Sequence, residues 1–194
     1  MKILWDFDGT LFDTYPAFTE AMYELLDGKA AKKDILTKLK VSFSHAAEYF
    51  ELTDEQVMEY KRNQAAMKAS EKPPFQGVKE VLDFAELNVI MTHKPRAEVD
   101  DILQHYGMRH YFKEIVAGDD GYKRKPDTAA YKYLHNLYGI DLVIGDRLLD
   151  ILPAKQLGIT TCLFQNSEVG ADFYLENYKD FFQKSLVCVN SSIQ

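Results

Sequence analysis

From residue 16 to residue 72 the apolar positions keep helical spacing. Phe18, Met22, Leu25 and Leu26 line one face, and Asp27-Gly28 ends that helix. Ile35, Leu36 and Leu39 predict a second helix, and Ala46 to Phe50 a short third. Thr53 with Gln56 has the form of a capping box, opening a helix expected to run through Ala69. No strand pattern interrupts this stretch, which closes at Lys72-Pro73-Pro74-Phe75.

From Gly77 the rhythm changes to alternation. Helices are expected over Val78 to Glu86, Arg96 to Tyr106, Asp127 to about Tyr138 and Asp150 to Leu157, with Asp127 as a cap and Pro153 in a first turn. Strands are expected at Asn88 to Thr92, Ile115 to Ala117, Leu142 to Ile144 and Ile159 to Phe164. Ile3-Leu4-Trp5 is a further core strand. Regular strand–helix alternation implies a parallel sheet covered by helices. The first strand and the later segments therefore form one α/β core, residues 1–14 plus 75–194, with a helical insertion at 15–74. Leu175 to Leu186 is expected as a helix with an aromatic face.

Composition narrows the functional classes. The chain has 194 residues, 46% hydrophobic and 27% charged, with net charge −7. That acidic balance argues against a nucleic-acid or anionic-membrane surface. No apolar run reaches membrane-spanning length. Acids at positions 6 and 8 interrupt what a signal peptide would need as its apolar stretch. Cys162 and Cys188 have no metal-binding spacing, and Cys162 lies in an apolar segment, as a reduced core thiol would. Together these predict a soluble cytoplasmic protein whose oligomeric state is not legible.

The strand ends carry the chemistry. Asp6 and Asp8 close the first apolar run, sharing one face if the strand persists, and Gly9 permits a sharp turn. An Asp-Phe-Asp-Gly surface turn is the competing reading. Thr92-His93-Lys94, Lys123-Arg124-Lys125-Pro126 and Gly145-Asp146-Arg147-Leu148-Leu149-Asp150 follow the other strands. In an open parallel sheet these ends share one edge, where ligands bind. Carboxylates gathered there repel one another and any phosphate. They call for a hard divalent cation with oxygen ligands, for which Mg²⁺ fits best.

Asp6-Phe7-Asp8-Gly9-Thr10-Leu11, Thr92, Lys125-Pro126 and Gly145-Asp146-x-x-x-Asp150 together resemble the four ordered motifs of the haloacid dehalogenase superfamily. The helical insertion resembles the small cap of its phosphoglycolate phosphatase and β-phosphoglucomutase branch. The resemblance implies a Rossmann-like parallel α/β core with an inserted all-α cap. It implies Asp6 as the nucleophile that becomes an aspartyl-phosphate, and Asp8 as general acid and then base. It implies Thr92 as a donor to a phosphoryl oxygen and Lys125 as the cation balancing Asp6 and the phosphoryl group. Mg²⁺ would be held by Asp6, Asp146 and the backbone carbonyl of Asp8, with Asp150 supporting the ligands from behind. Where relatives often have Asn or Gly, this chain has His93-Lys94, and Thr128 replaces a second proline. Neither departure is expected to touch the chemistry, and His93 is read as structural.

Lys38 to His45 is expected as a loop between two helices of the insertion, placing Lys40, Ser42 and His45 as candidate substrate contacts. A small cap implies a small phosphorylated metabolite and a Mg²⁺-dependent phosphatase. Alternatives are a phosphosugar mutase of the β-phosphoglucomutase type and a non-catalytic phosphometabolite-binding protein. Haloalkanoate dehalogenation is disfavoured, because that branch lacks the second acid and the metal set.

Overall fold

The computed structural model describes residues 1–183. Its contacts divide the chain into two compact units, Met1–Phe12 with the chain from Pro74 onward, and Asp13–Pro73.

The first unit is built on a six-stranded sheet in the order β3-β2-β1-β4-β5-β6, with every pairing parallel. Its strands are β1 (Lys2–Trp5), β2 (Leu87–Met91), β3 (Phe112–Val116), β4 (Leu142–Gly145), β5 (Thr160–Phe164) and β6 (Phe173–Leu175). The α/β reading of the sequence is correct, and four of the five expected strands fall within two residues of their expected bounds. β3 instead begins three residues early. Pleating sends Leu4, Val89 and Val143 to one face, where they meet Ala130, Tyr131, Leu134 and Ala154. On the other face Trp5 meets Tyr178 edge-on at 5.8 Å. The indole N–H of Trp5 donates to Asn88 Oδ1 at 2.8 Å, and the Asn88 amide donates to the Leu82 carbonyl at 3.0 Å. This relay satisfies buried polar groups inside an apolar layer.

The strand order reverses at β1. The chain goes from β1 outward through β2 and β3, then returns to pair β4 on β1's other side. The carboxyl ends of β1 and β4 thus form the switch point at which open parallel sheets bind ligands.

Val78–Phe84, Arg96–His105, Ala129–Tyr138 and Leu148–Gln156 are the helices of this unit, here called α5 to α8. Two expectations about them are corrected. Thr128, not Asp127, is the N-cap of α7, although Asp127 Oδ1 accepts the Ala129 N–H at 2.9 Å. α8 starts two residues earlier than expected, at Leu148, so Pro153 lies inside the helix and not in its first turn. The expected helix over Leu175 to Leu186 is likewise replaced, within the described residues, by the end of β6 and a 3₁₀ turn at Tyr178–Phe182. Aromatic packing explains it: Tyr178 stacks on Phe164 at 4.3 Å, and its hydroxyl donates to the Thr10 carbonyl at 2.8 Å. Residues 184–186 and Cys188 lie outside the described residues. Cys162 is buried in β5.

The second unit contains α1 (Tyr15–Leu25), α2 (Lys32–Val41), α3 (Phe43–Tyr49) and α4 (Asp54–Ala66). Their shared core includes Phe18, Met22, Ile35, Leu39, Ala46 and Tyr60. The Thr53–Gln56 capping box forms at the start of α4. That helix ends at Ala66 and not Ala69, because Met67 is extended. The expected loop over Lys38 to His45 is corrected as well. α2 continues through Val41, α3 begins at Phe43, and Ser42 alone separates them. Ser42 Oγ accepts the His45 backbone N–H at 3.0 Å, which starts the new helix.

No helix among the described residues is long and apolar enough to cross a membrane.

Gly118 closes the turn after β3. Its N–H donates to the Lys94 carbonyl at 2.9 Å, and a Cβ there would lie 2.2 Å from the His93 carbonyl oxygen. Neither backbone can yield without moving β2's end. Gly118→Ala is expected to cost about 3 kcal/mol, the upper range for forced overpacking. An unshifted urea midpoint would contradict this tight approach.

Candidate functional site

β1 ends at Trp5, so the strand does not persist through Asp8 as the shared-face expectation required. One ladder bond survives beyond it, from the Asp6 N–H to the Ile144 carbonyl at 2.9 Å. The chain then turns. The Phe7 carbonyl accepts from the N–H groups of Leu11 and Phe12, and Gly9 sits at φ 78°, a conformation that favours glycine. As a result the two acids have different neighbours.

Asp6 is buried and faces Lys125, whose Nζ donates to Asp6 Oδ1 and, at 2.8 Å, to Asp150 Oδ1. Thr10 Oγ donates to Asp6 Oδ2 at 3.4 Å. Asp6, Asp146 and Asp150 bring carboxylate oxygens within 4.8 Å of one another, all three buried. Asp146 comes from the end of β4, and Asn166, beyond β5, donates to its backbone carbonyl at 2.8 Å. Gly145 is required here, since a Cβ would lie 2.4 Å from Asp150 Cβ.

Arg147 clasps Asp150. Its backbone N–H and Nε donate to Oδ2 at 3.1 and 3.3 Å, and its Nη2 donates to Oδ1 at 3.4 Å. Asp150 is therefore committed to Arg147 and Lys125. Asp6 pairs with the same Lys125, and Asp146 Oδ1 lies 3.8 Å from Arg147 Nε. Buried, hard oxygen donors of this kind suit a divalent cation with oxygen coordination.

Electrostatics separate the acids. Burial and the charge of Asp150 push the Asp6 pKa up to about 6, against the pull of Lys125 and Arg147. Burial also opposes ionisation of Asp150, but Arg147 and Lys125 outweigh it and hold its pKa at about 2. Lys125 is fully buried, yet Asp150 and Asp6 keep its pKa above the usual lysine value. Three carboxylates and two cations leave one formal negative charge when all are ionised, and Asp6 is the acid most easily neutralised.

Asp8 turns to a residue that the sequence reading set aside. Lys94 Nζ lies 3.3 Å from Asp8 Oδ1 and 3.4 Å from Glu98 Oε2. Burial disfavours its charge, but Asp8 and Glu98 more than compensate. Thr92 is buried, and its hydroxyl accepts the Lys94 N–H at 3.1 Å, which leaves the hydroxyl hydrogen to donate. His93 Nε2 accepts the Lys125 backbone N–H at 2.8 Å. His93 thus holds the Lys125 backbone, in keeping with its structural reading, whereas Lys94, expected to stay clear of the predicted chemistry, pairs with Asp8.

Lys94, Arg147 and Asn166 are the site neighbours that sequence reasoning did not assign. Lys94 and Arg147 each stand one or two places from a motif residue, and that proximity was the available signal. Asn166 had none beyond following a strand.

The three candidates from the insertion belong to the second unit. Ser42 is a helix cap, and His45 supplies the N–H it accepts. Lys40 Nζ lies 5.6 Å from the centre of the Tyr15 ring, and its charge opposes the upward shift that burial gives Asp13.

Comparison with known proteins is consistent across sequence and structure. Residues 3–164 match the family model described as haloacid dehalogenase-like hydrolase. Phosphoglycolate phosphatase 1 of Pseudomonas aeruginosa is 26% identical over 181 residues, covering 81% of this chain and 66% of that protein. Pyrophosphatase PpaX of Halalkalibacterium halodurans is 25% identical, over 95% of this chain and 92% of its own length. The crystal structure of a hydrolase from Streptococcus pneumoniae superposes with TM-score 0.65 at 31% identity, covering 86% of this chain and 93% of that one.

Proposed function

This chain belongs to the haloacid dehalogenase-like hydrolases, and on that premise we propose that it is a phosphatase of small phosphorylated metabolites, acting through an aspartyl-phosphate on Asp6. The observation that carries the reading is the convergence of Asp6, Asp146 and Asp150 at the sheet's switch point, with a buried Lys125 shared by Asp6 and Asp150.

Asp6 attacks phosphorus through a carboxylate whose two oxygens are oriented separately, Oδ1 by Lys125 and Oδ2 by Thr10. Lys125 offsets charge on Asp6 and on the incoming phosphoryl group. Thr92, its oxygen already satisfied by Lys94 N–H, donates its hydrogen to a phosphoryl oxygen. Asp8 gives a proton to the leaving oxygen and later takes one from the water that cleaves the acyl phosphate. Lys94 Nζ, 3.3 Å from Asp8 Oδ1, positions that oxygen, and the other Asp8 oxygen carries the transferred proton. Asp150 and Arg147 fix Lys125 in place.

Asp6, Asp146 and the Asp8 backbone carbonyl would hold Mg²⁺. When bound, the ion would neutralise the carboxylate–phosphate repulsion that otherwise opposes attack. Lys40 is retained in this reading as a substrate contact of the helical unit, which would act as the cap. A cytoplasmic location belongs to the same reading, supported by the buried Cys162 thiol.

The test is phosphate release from a panel of phosphorylated metabolites with Mg²⁺, followed by EDTA. Release is expected, and chelation is expected to stop it. Mg²⁺ at about a hundred times its Kd is also expected to stabilise the metal-free protein by about 2.7 kcal/mol. Turnover that persists in EDTA, with no thermal shift on adding Mg²⁺, would remove the metal from the account. Isomer formation without phosphate release would favour the mutase.

A further inference from the structure

The Lys125 ammonium is fully buried and carries three N–H donors. Two of them go to carboxylates at the sheet edge, Asp6 Oδ1 and Asp150 Oδ1. A third left without an acceptor would cost the desolvation of a charged donor. It finds one outside the strand-end motifs. Tyr131, in the first turn of α7, is completely buried, and its hydroxyl is hydrogen-bonded to the Lys125 side chain.

The hydroxyl uses its own hydrogen elsewhere. It donates to the Asp150 backbone carbonyl at 2.7 Å, so towards the ammonium its oxygen can only accept. Burial pushes the phenol pKa up, against the charge of Lys125, and the group stays neutral. A third carboxylate in this place would also hold the lysine, but it would add negative charge to a site that receives a phosphate. The ring is fixed by the core beneath the sheet, among Leu4, Val89, Leu134 and Val143. Asp150 and Tyr131 are thus two acceptors that take no part in bonding to phosphorus. Together they set two N–H directions of a tetrahedral nitrogen, and the third direction follows from those two.

We propose that Tyr131 is a positioning residue for phosphoryl transfer: its hydroxyl, anchored on the Asp150 carbonyl, holds Lys125 so that one N–H stays aimed at Asp6 and the phosphoryl group arriving there. The proposal rests on the phosphatase reading and deepens it. Phenylalanine at this position keeps the packed ring and removes only the anchor. The ammonium then has two acceptors for three hydrogens and can rotate away from Asp6.

The experiment follows p-nitrophenol release from p-nitrophenyl phosphate with Mg²⁺, in single turnover with enzyme in excess. Its rate reports transfer to Asp6, and its amplitude reports the fraction of competent protein. Tyr131→Phe is expected to lower the rate about tenfold, the scale of one hydrogen bond to a charged group, at full amplitude. Leu134→Val, one turn along α7 in the same core, is expected to keep the wild-type rate. An unchanged rate in Tyr131→Phe, a loss confined to amplitude, or an equal slowing in Leu134→Val would overturn the proposal.

A second measurement needs no turnover. The Lys125 ammonium resonance of protein carrying isotope-labelled lysine, assigned through its side chain, reports exchange of its hydrogens with water. Exchange is expected to be about tenfold faster in Tyr131→Phe than in wild type. A wild type that releases no p-nitrophenol would sink the phosphatase reading. Equal exchange in wild type and variant would sink the tyrosine anchor, whatever the wild type turns over.

Discussion

Asp6→Asn is expected to abolish phosphate release and, at neutral pH without metal, to raise stability. Both effects follow from the position of this carboxyl. Asn cannot attack phosphorus as a carboxylate does, so turnover of p-nitrophenyl phosphate should fall to background. For stability, the folded pKa of about 6 stands above the ordinary aspartate value of 3.8. The folded state therefore binds a proton more tightly than the unfolded chain between those values, and stability falls as pH rises through that window. Above it, the ionised Asp6 costs about 3 kcal/mol. Asn mimics the neutral form and removes that cost. The wild type should lose stability from pH 4 to pH 6 through this group, and Asp6→Asn should not. Asp150 acts in the opposite sense, contributing stability that is lost only as pH falls towards 2. An active variant would sink the nucleophile assignment, and a less stable one would sink the electrostatic account. Stored strain of this kind is common where a fold holds a reactive group ready.

Lys125→Met should do the reverse to stability and the same to activity. Lys125 is the fully buried cation shared by Asp6 and Asp150. Methionine fills much of its volume but leaves buried carboxylates facing one another. Removing one partner of a buried ion pair costs about 3–5 kcal/mol, and a loss of that size is expected in urea unfolding at neutral pH. Two treatments should recover part of it. Mg²⁺ would replace the missing positive charge, and lowering the pH would protonate one of the two buried acids, so this variant should gain stability on mild acidification. An unchanged midpoint would show that Lys125 does not hold the acids together.

How far the sequence discloses this arrangement depends on the range of the forces. Strand positions are legible because burial on both faces leaves apolar runs such as Leu142-Val143-Ile144, ending in a glycine. The parallel sheet follows from the alternation, and the carboxyl edge follows from the sheet. That Asp6, Lys125, Asp146 and Asp150 stand along that edge is therefore readable from order alone. What each side chain does there is less so. Lys94 reaches Asp8 across the space between two strand ends, and no local pattern reports such a pairing. Arg147 clasps Asp150 at i,i+3 only because α8 begins two residues before the expected cap. Ser42 is polar, lies between two helical segments and passes for loop, yet its hydroxyl starts a helix. The Tyr178 turn is decided by stacking on Phe164 and a bond to Thr10, both far away in sequence. Local propensity cannot anticipate contacts of that kind.

The central claim is that Asp6 forms a covalent bond to phosphorus. Acid quenching during turnover with Mg²⁺, followed by peptide mass spectrometry, tests it most directly. The expected result is one phosphoryl group on the peptide containing Asp6, converted to homoserine at that position by borohydride, and absent from Asp6→Asn. A wild-type enzyme that releases phosphate while this peptide stays unmodified at every quench time, or that carries the group on another residue, would contradict the account.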